Sequence, residues 1–143
     1  MAYSTIDDIK NQLDEVRLIQ LTDDENTGAV VEERVTRAIA DADEEIDGYV
    51  GARHAVPLAT VPSIIRKLSV DIAINNLYAR REKSSEIRET RYKNAIRFLK
   101  QVALGKISLG ADDPEGSPPT SDAPELSSDN PARIFDRASM KDF

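Results

Sequence analysis

The chain has 143 residues, 40% of them hydrophobic, 31% charged and only 5% aromatic, with no Trp. That is enough for one domain and little more, with a core that must rest on Ile, Leu, Val and Ala. There is no Cys, which excludes a disulfide frame, a thiol nucleophile and a thiolate metal site, and the net charge of -7 argues against a protein that coats DNA.

No apolar run reaches the roughly 20 residues that span a bilayer. The opening MAYSTIDDIK lacks the basic and apolar blocks of a signal peptide. The lack of Cys fits assembly in a reducing cytoplasm. Charge is segregated along the chain. Residues 1–50 hold 14 acidic and 4 basic side chains, residues 51–109 hold 4 and 12, and residues 110–143 hold 8 and 3. Two arrangements account for such blocks: the halves pair within one molecule, or copies pack head to tail, acidic face on basic face.

In chain order, Thr5 reads as an N-cap with Asp8 three residues on, and Ile6, Ile9 and Leu13 recur at helical spacing. A second short turn restarts at Asp14 or Glu15, with Leu18, Ile19 and Leu21 to anchor this arm. TDDENTG follows. Taken as half a calcium loop with Gly28 at the sixth position, it puts Asp23, Glu25 and Thr27 at the first, third and fifth, but Arg34 where the bidentate carboxylate belongs. A cation there speaks for a structural turn, its acids near the positive end of the next helix.

From Val30 to about Arg53, the residues Val31, Val35, Ala38, Ile39, Ala42, Ile46, Tyr49 and Val50 step by three or four. Glu32, Glu33, Asp43, Glu44 and Asp47 fall mostly elsewhere and predict a solvated acidic face. No His lies within helical spacing to make DADEEID a hydrolytic site. Gly48 and Gly51 weaken the last turn and mark its end. His54, the sole histidine, is supplied by spacing with neither a nucleophile nor an orienting partner, and reads as a loop residue.

The run Val56 to Arg81, VPLATVPSIIRKLSVDIAINNLYARR, organises the rest. Pro57 and Pro62 hold a short stiff loop, and Pro62 suits the first turn of a helix. From Ile64 to Ala79, apolar residues cover most of the circumference. Such a helix lies at the centre of a bundle, or buries one side in its own domain and another in a partner. Under the second explanation, Val70, Ile74 and Leu77 are partner contacts. Asp71, Asn75 and Asn76 need hydrogen-bond partners wherever they are buried.

Ser84 and Ser85 can cap the next helix, EIRETRYKNAIRFLKQVALG. Ile87, Tyr92, Ala95, Leu99 and Val102 form its stripe, Arg88, Arg91, Lys93, Arg97 and Lys100 face outward, and Gly105 sits at its C′ position. The Arg-rich stretch 80–100 admits an alternative function, a small nucleic-acid-binding regulator, but lacks the interleaved aromatics that stack on single strands.

Beyond Gly110, GADDPEGSPPTSDAPELSSDNP has too little apolar surface to fold alone. ARIFDRASMKDF then restores apolar mass at Ile134, Phe135, Met140 and Phe143, the pattern of a docking segment. The expected fold is all-α, a small helical bundle with a short N-terminal helical arm and an extended C-terminal tail. Residues 1–109 form the helical domain, 110–130 a polar linker and 131–143 the docking segment.

The segments YSTIDDI, LIQLTD, ADADEEIDGYV with GAR, VPLATVP, DIAINNLYARR, RYKNAIRFLKQVALGKISLG and ARIFDRASMKDF, in this order, resemble a family of small proteins encoded among the head–tail genes of Mu-like phages and prophages. The resemblance covers nearly the whole chain and rests on order and spacing, not on one motif. It implies a head-completion or connector adaptor of the virion neck: a structural, non-enzymatic subunit with no cofactor, no metal and no membrane contact. It implies a homo-oligomeric ring, a dodecamer by analogy, bound to the portal protein on one side and a stopper or tail protein on the other. An acidic wall around a DNA passage would repel phosphate and let DNA slide. The four apolar tail residues would then be interface residues of a strap, made effective by repetition around the ring. The family often carries a fuller Asp-rich loop where this chain has TDDENTG.

Overall fold

The computed structural model describes residues 1–83 and 85–110. They form five helices, α1 (Ile6–Gln12), α2 (Glu15–Thr22), α3 (Glu32–Val50), α4 (Ser63–Arg80) and α5 (Glu86–Ala103), with no strand among the described residues. This is the expected all-α bundle with a short N-terminal arm. The expected linker and docking segment, with Ile134, Phe135, Met140 and Phe143, lie outside the described residues.

α3, α4 and α5 pack as a three-helix bundle, and the arm α1–α2 lies against α3 and α4. α1 starts at the capping box expected from the sequence. Asp8 N–H donates to Thr5 Oγ1 at 3.2 Å, and Thr5 N–H donates to Asp8 Oδ2 at 2.9 Å. Pro62 is the N-cap of α4, one position ahead of the first turn. Its φ of -60° and ψ of 148° are extended, and its missing N–H leaves no donor unsatisfied there. The peptide bond between Val56 and Pro57 is cis.

α4 and α5 stop in the same way. Gly105 has φ 72°, its N–H bonds to Val102 O at 2.9 Å, and Lys106 N–H bonds to Gln101 O at 2.9 Å. That is a Schellman ending with the expected glycine. After α4, Glu82 N–H bonds to Ala79 O at 3.0 Å and Lys83 N–H to Tyr78 O at 3.0 Å, but the left-handed residue is Glu82, φ 52°.

Buried side chains surround α4: Ile65, Leu68, Val70, Ile72, Ala73, Ile74 and Leu77. Each large one removed from water contributes about 1.5–3 kcal/mol. All four other helices pack on α4. The all-round apolarity is therefore that of a bundle centre. Val70, Ile74 and Leu77 are 5%, 0% and 0% exposed, which corrects the expectation that they are partner contacts. Their surface is already covered by the subunit's own helices. Asp71, 4% exposed, finds its partners in Lys67 Nζ at 3.6 Å and Arg91 Nη1 at 3.5 Å, so it also ties α4 to α5. On α5, Ile87 is 68% exposed and the buried stripe begins only further along, through Ala95, Leu99 and Val102.

Candidate functional site

A buried polar cluster joins the N-terminal segment to the bundle. Asp43 of α3 accepts Tyr3 N–H on Oδ2 at 2.9 Å and Ser69 Oγ–H of α4 on Oδ1 at 2.7 Å. Ser69 Oγ lies 2.7 Å from Ser4 Oγ. Tyr3 OH donates to Asp47 and accepts Leu58 N–H at 2.9 Å. Burial pushes the Asp43 carboxyl above the ordinary carboxylate value, opposed by its bonds from Ser69 and Tyr3. Burial, with the bond to Asp47, raises the Tyr3 hydroxyl to about 12. One stretch of α3 thus holds the chain start, α4 and the loop before α4.

The solvated acidic face expected on α3 is corrected in part by this cluster. Asp43 is buried, Asp47 is half-buried, and Glu45 accepts Tyr92 O–H at 2.8 Å. Each of these carboxylates has a donor from a distant segment, which makes its burial tolerable. Both Asp43 oxygens are engaged, so the group acts as a pin. Tyr3, Ser4 and Ser69 escape a sequence reading, because no local spacing links them to Asp43.

A second cluster closes the turn after α2. Asp23 accepts Thr27 N–H at 3.0 Å, Thr27 O–H at 3.2 Å and Gly28 N–H at 2.7 Å. The backbone bonds from Thr27 and Gly28 hold its carboxyl below the usual range. Asp23 is the anchor of a turn in which Asn26 and Gly28 take left-handed φ values of 57° and 79°. Beside it, Asp24 receives a bidentate fork from Arg80 at 2.8 and 2.9 Å, Arg81 Nη1 at 2.8 Å and Arg34 Nη1 at 3.1 Å. The Arg80 bond leads in holding the Asp24 carboxyl down to about 2. Arg80 also donates to Leu21 O at 2.6 Å, and Arg34 donates to Thr22 O. Arg34, which stood where a calcium loop needs its glutamate, is part of an arginine clamp that fastens the arm to α3 and α4.

The basic face expected on α5 divides. Arg88 Nη2 donates to Gln12 O at 3.1 Å, and Arg91 Nη1 reaches Gln12 Oε1 at 3.4 Å. These two turn towards α1, and Arg88 Nη1 is buried without a partner among the described residues. Lys93, Arg97 and Lys100 remain exposed, one helical turn apart, with no ion pair among the described residues. Asp7, Asp14, Glu15, Glu33 and Glu44 of the arm and α3 are exposed and likewise unpaired. Pairing of the halves within the molecule therefore occurs, at Asp24 with Arg80 and Arg81, and still leaves unlike charges on different elements.

The family model described as Bacteriophage Mu, Gp36 matches residues 3–128. The Mu-like prophage FluMu protein gp36 of Haemophilus influenzae is 37% identical over 82 residues, and the alignment spans a little over half, 57%, of either chain. Gene product J of Escherichia phage Mu is 31% identical over 139 residues, 96% of either chain. All five helices and both polar clusters fall inside the residues that the family model covers. The chain belongs to the bacteriophage Mu Gp36 family.

Proposed function

We propose that this chain is a structural protein of the phage particle, an adaptor of the neck that forms a ring between portal and a stopper or tail protein around the DNA passage. Its phage family supports a role in the virion or its assembly. The observation that carries the reading is the charge left after internal pairing. Lys93, Arg97 and Lys100 lie along α5, while Asp7 and Glu33 lie on α1 and α3. Unlike patches on one subunit make heterologous contacts, copy on copy, and such contacts close into a ring when the rotation between copies allows it. With Val70, Ile74 and Leu77 committed to the core, the charged faces and the segment carrying Ile134, Phe135, Met140 and Phe143 hold the ring. The catalytic alternative is weakened by positive evidence: the carboxylates with shifted titration, Asp23, Asp24 and Asp43, are held by Thr27 and Gly28, by Arg80, and by Tyr3 and Ser69 respectively. Of the basic residues in the stretch 80–100, the nucleic-acid alternative retains Lys83, Lys93, Arg97 and Lys100, since Arg80, Arg81, Arg88 and Arg91 are engaged internally.

Electron microscopy of the protein mixed with its portal, at low and high salt, tests the proposal. Rings seated on the portal, loosened by salt, are expected. Single subunits that ignore the portal at every concentration and salt would overturn it. Removing residues 130–143 should leave the bundle folded and impair assembly.

A further inference from the structure

A cleft of about 530 Å³ opens where the N-terminal segment crosses α3. Its apolar wall is made by Ile6, Ile39, Ala40 and Pro57, and Glu44 and Asp47 stand at its side. The volume lies in the range of pockets that bury a small ligand, roughly 300–1,000 Å³. It has room for anchoring side chains, not for a whole segment.

Where the chain leaves the bundle is set by the end of α5. A methyl group added to Gly105 would meet Arg53 Nη1 at 2.5 Å, so the end of α5 abuts the loop between α3 and α4. Pro57, four residues along that same loop, forms part of the cleft. Ile107 and Leu109 still pack on the core, and the chain passes Gly110 at this end of the bundle. Beyond it come 20 polar-rich residues, 111–130, and then ARIFDR, in which Arg133 and Arg137 flank the apolar pair Ile134–Phe135. A random-coil chain of 20 residues has a root-mean-square span of about 25 Å, against a radius of gyration of about 13 Å for a domain of this size. The cleft on the same subunit is therefore within reach, at an effective concentration on the order of millimolar. The chemistry matches, apolar pair to apolar wall and arginines to Glu44 and Asp47.

We infer that the segment 131–143 docks over the cleft of its own subunit, with Ile134 and Phe135 as the anchors that enter it. This deepens the docking role proposed above for the segment: before assembly the strap is parked at the cleft, from which a ring neighbour or the portal must draw it.

The absence of cysteine from the chain makes the test direct. Full-length protein carrying Ala40→Cys with Ala138→Cys is oxidised under dilute conditions, beside a control carrying Asn94→Cys, on exposed α5, with Ala138→Cys. The expected product is a monomeric, internally cross-linked chain, formed at least tenfold faster from the Ala40 pair than from the Asn94 pair. Adding Ile134→Ser and Phe135→Ser should erase that preference, with unchanged circular dichroism showing that the bundle stays folded. Equal rates for the two pairs, no cross-link at Ala40, or a product that joins two chains would each overturn the assignment. The readout is made on single subunits, so it stands or fails apart from ring formation on the portal.

Discussion

α4 and α5 are neighbours of equal length, 18 residues each, yet they meet opposite surroundings. α4 buries nine residues, two of them polar, and touches every other helix. α5 buries only Ala95, Leu99 and Val102, and carries Ile87 and Leu104 at 68% and 64% exposure. A helix enclosed by its own subunit is fixed in its role as core. A helix with one covered stripe keeps a charged face for something else. Helical periodicity predicts both helices, but only the packing decides which surface remains available.

The largest break in this contrast comes from α4. Ile74→Ala deletes a side chain that is 0% exposed and should cost about 2–4 kcal/mol. Leu104→Ala at the C-cap of α5, at 64% exposure, should stay within about 0.5 kcal/mol. Urea denaturation with unchanged slope checks both. If Ile74→Ala leaves the subunit's stability intact and damages only assembly, the core assignment of α4 is wrong.

The C-terminal end of α4 is sharpened by acid. Asp24 has its carboxyl lowered from 3.8 to about 2, chiefly by Arg80. A depressed folded-state value means that its stabilisation is complete above the unfolded value and is lost as pH falls from about 4 towards 2. Asp24→Asn should lower Tm by a few degrees at neutral pH. The two proteins should converge near pH 2, and added salt should narrow the gap at neutral pH. Asp43 acts with the opposite sign. Its raised value favours the protonated form in the fold, so its contribution weakens as pH rises above the ordinary carboxylate range. A gap that persists undiminished at pH 2 would remove the Asp24 clamp from the account.

Much of the fold was legible because its signals are local. The Thr5 box needs residues three apart. The α3 stripe and the apolar circumference of α4 need only helical periodicity, and Gly105 announces its left-handed cap. Longer-range facts were not legible. Tyr3 meets Asp43 across 40 residues, and Ser69 meets it across 26. In DADEEID, Asp43 stands four residues after Ile39 and three before Ile46, on the apolar stripe, and Glu44 does not, but this spacing names no partner that would make a buried carboxylate tolerable. Apolarity on every side of α4 also could not say whose surface covers it, since a neighbour's helix and the chain's own helices bury Ile74 equally well. The docking segment 131–143 rests on composition alone.

The two helix ends allow a smaller test in which the same kind of substitution has opposite signs. Glu82 holds a left-handed φ of 52°, which strains a residue bearing a Cβ. Glu82→Gly should stabilise by about 0.5–1 kcal/mol, after allowing for the greater freedom of glycine in the unfolded chain. Gly105, at φ 72° and against Arg53, should lose about 1 kcal/mol or somewhat more as Gly105→Ala. Thermal melts of the two variants should therefore move in opposite directions. Movement in the same direction would show that the endings are not equivalent.

The smallest change in stability, and the sharpest separation of the two helices, belongs to the exposed face of α5. Lys93→Glu with Arg97→Glu should leave subunit stability within about 0.5 kcal/mol, because neither cation has an ion pair among the described residues. If copies assemble as proposed, this variant should fail to assemble at salt concentrations that support the parent, since the reversed stripe would repel the acidic arm of the next copy. Asp7→Lys with Glu33→Lys should fail in the same way alone. Mixed with the α5 variant, it should restore unlike charges at every interface of an alternating arrangement, so that rings reform only in the mixture, measured by sedimentation velocity. Assembly in the mixture, with none from either variant alone, places the contact between α5 of one copy and the α1–α3 face of the next. Two variants that each assemble normally would show that these exposed charges serve only solubility.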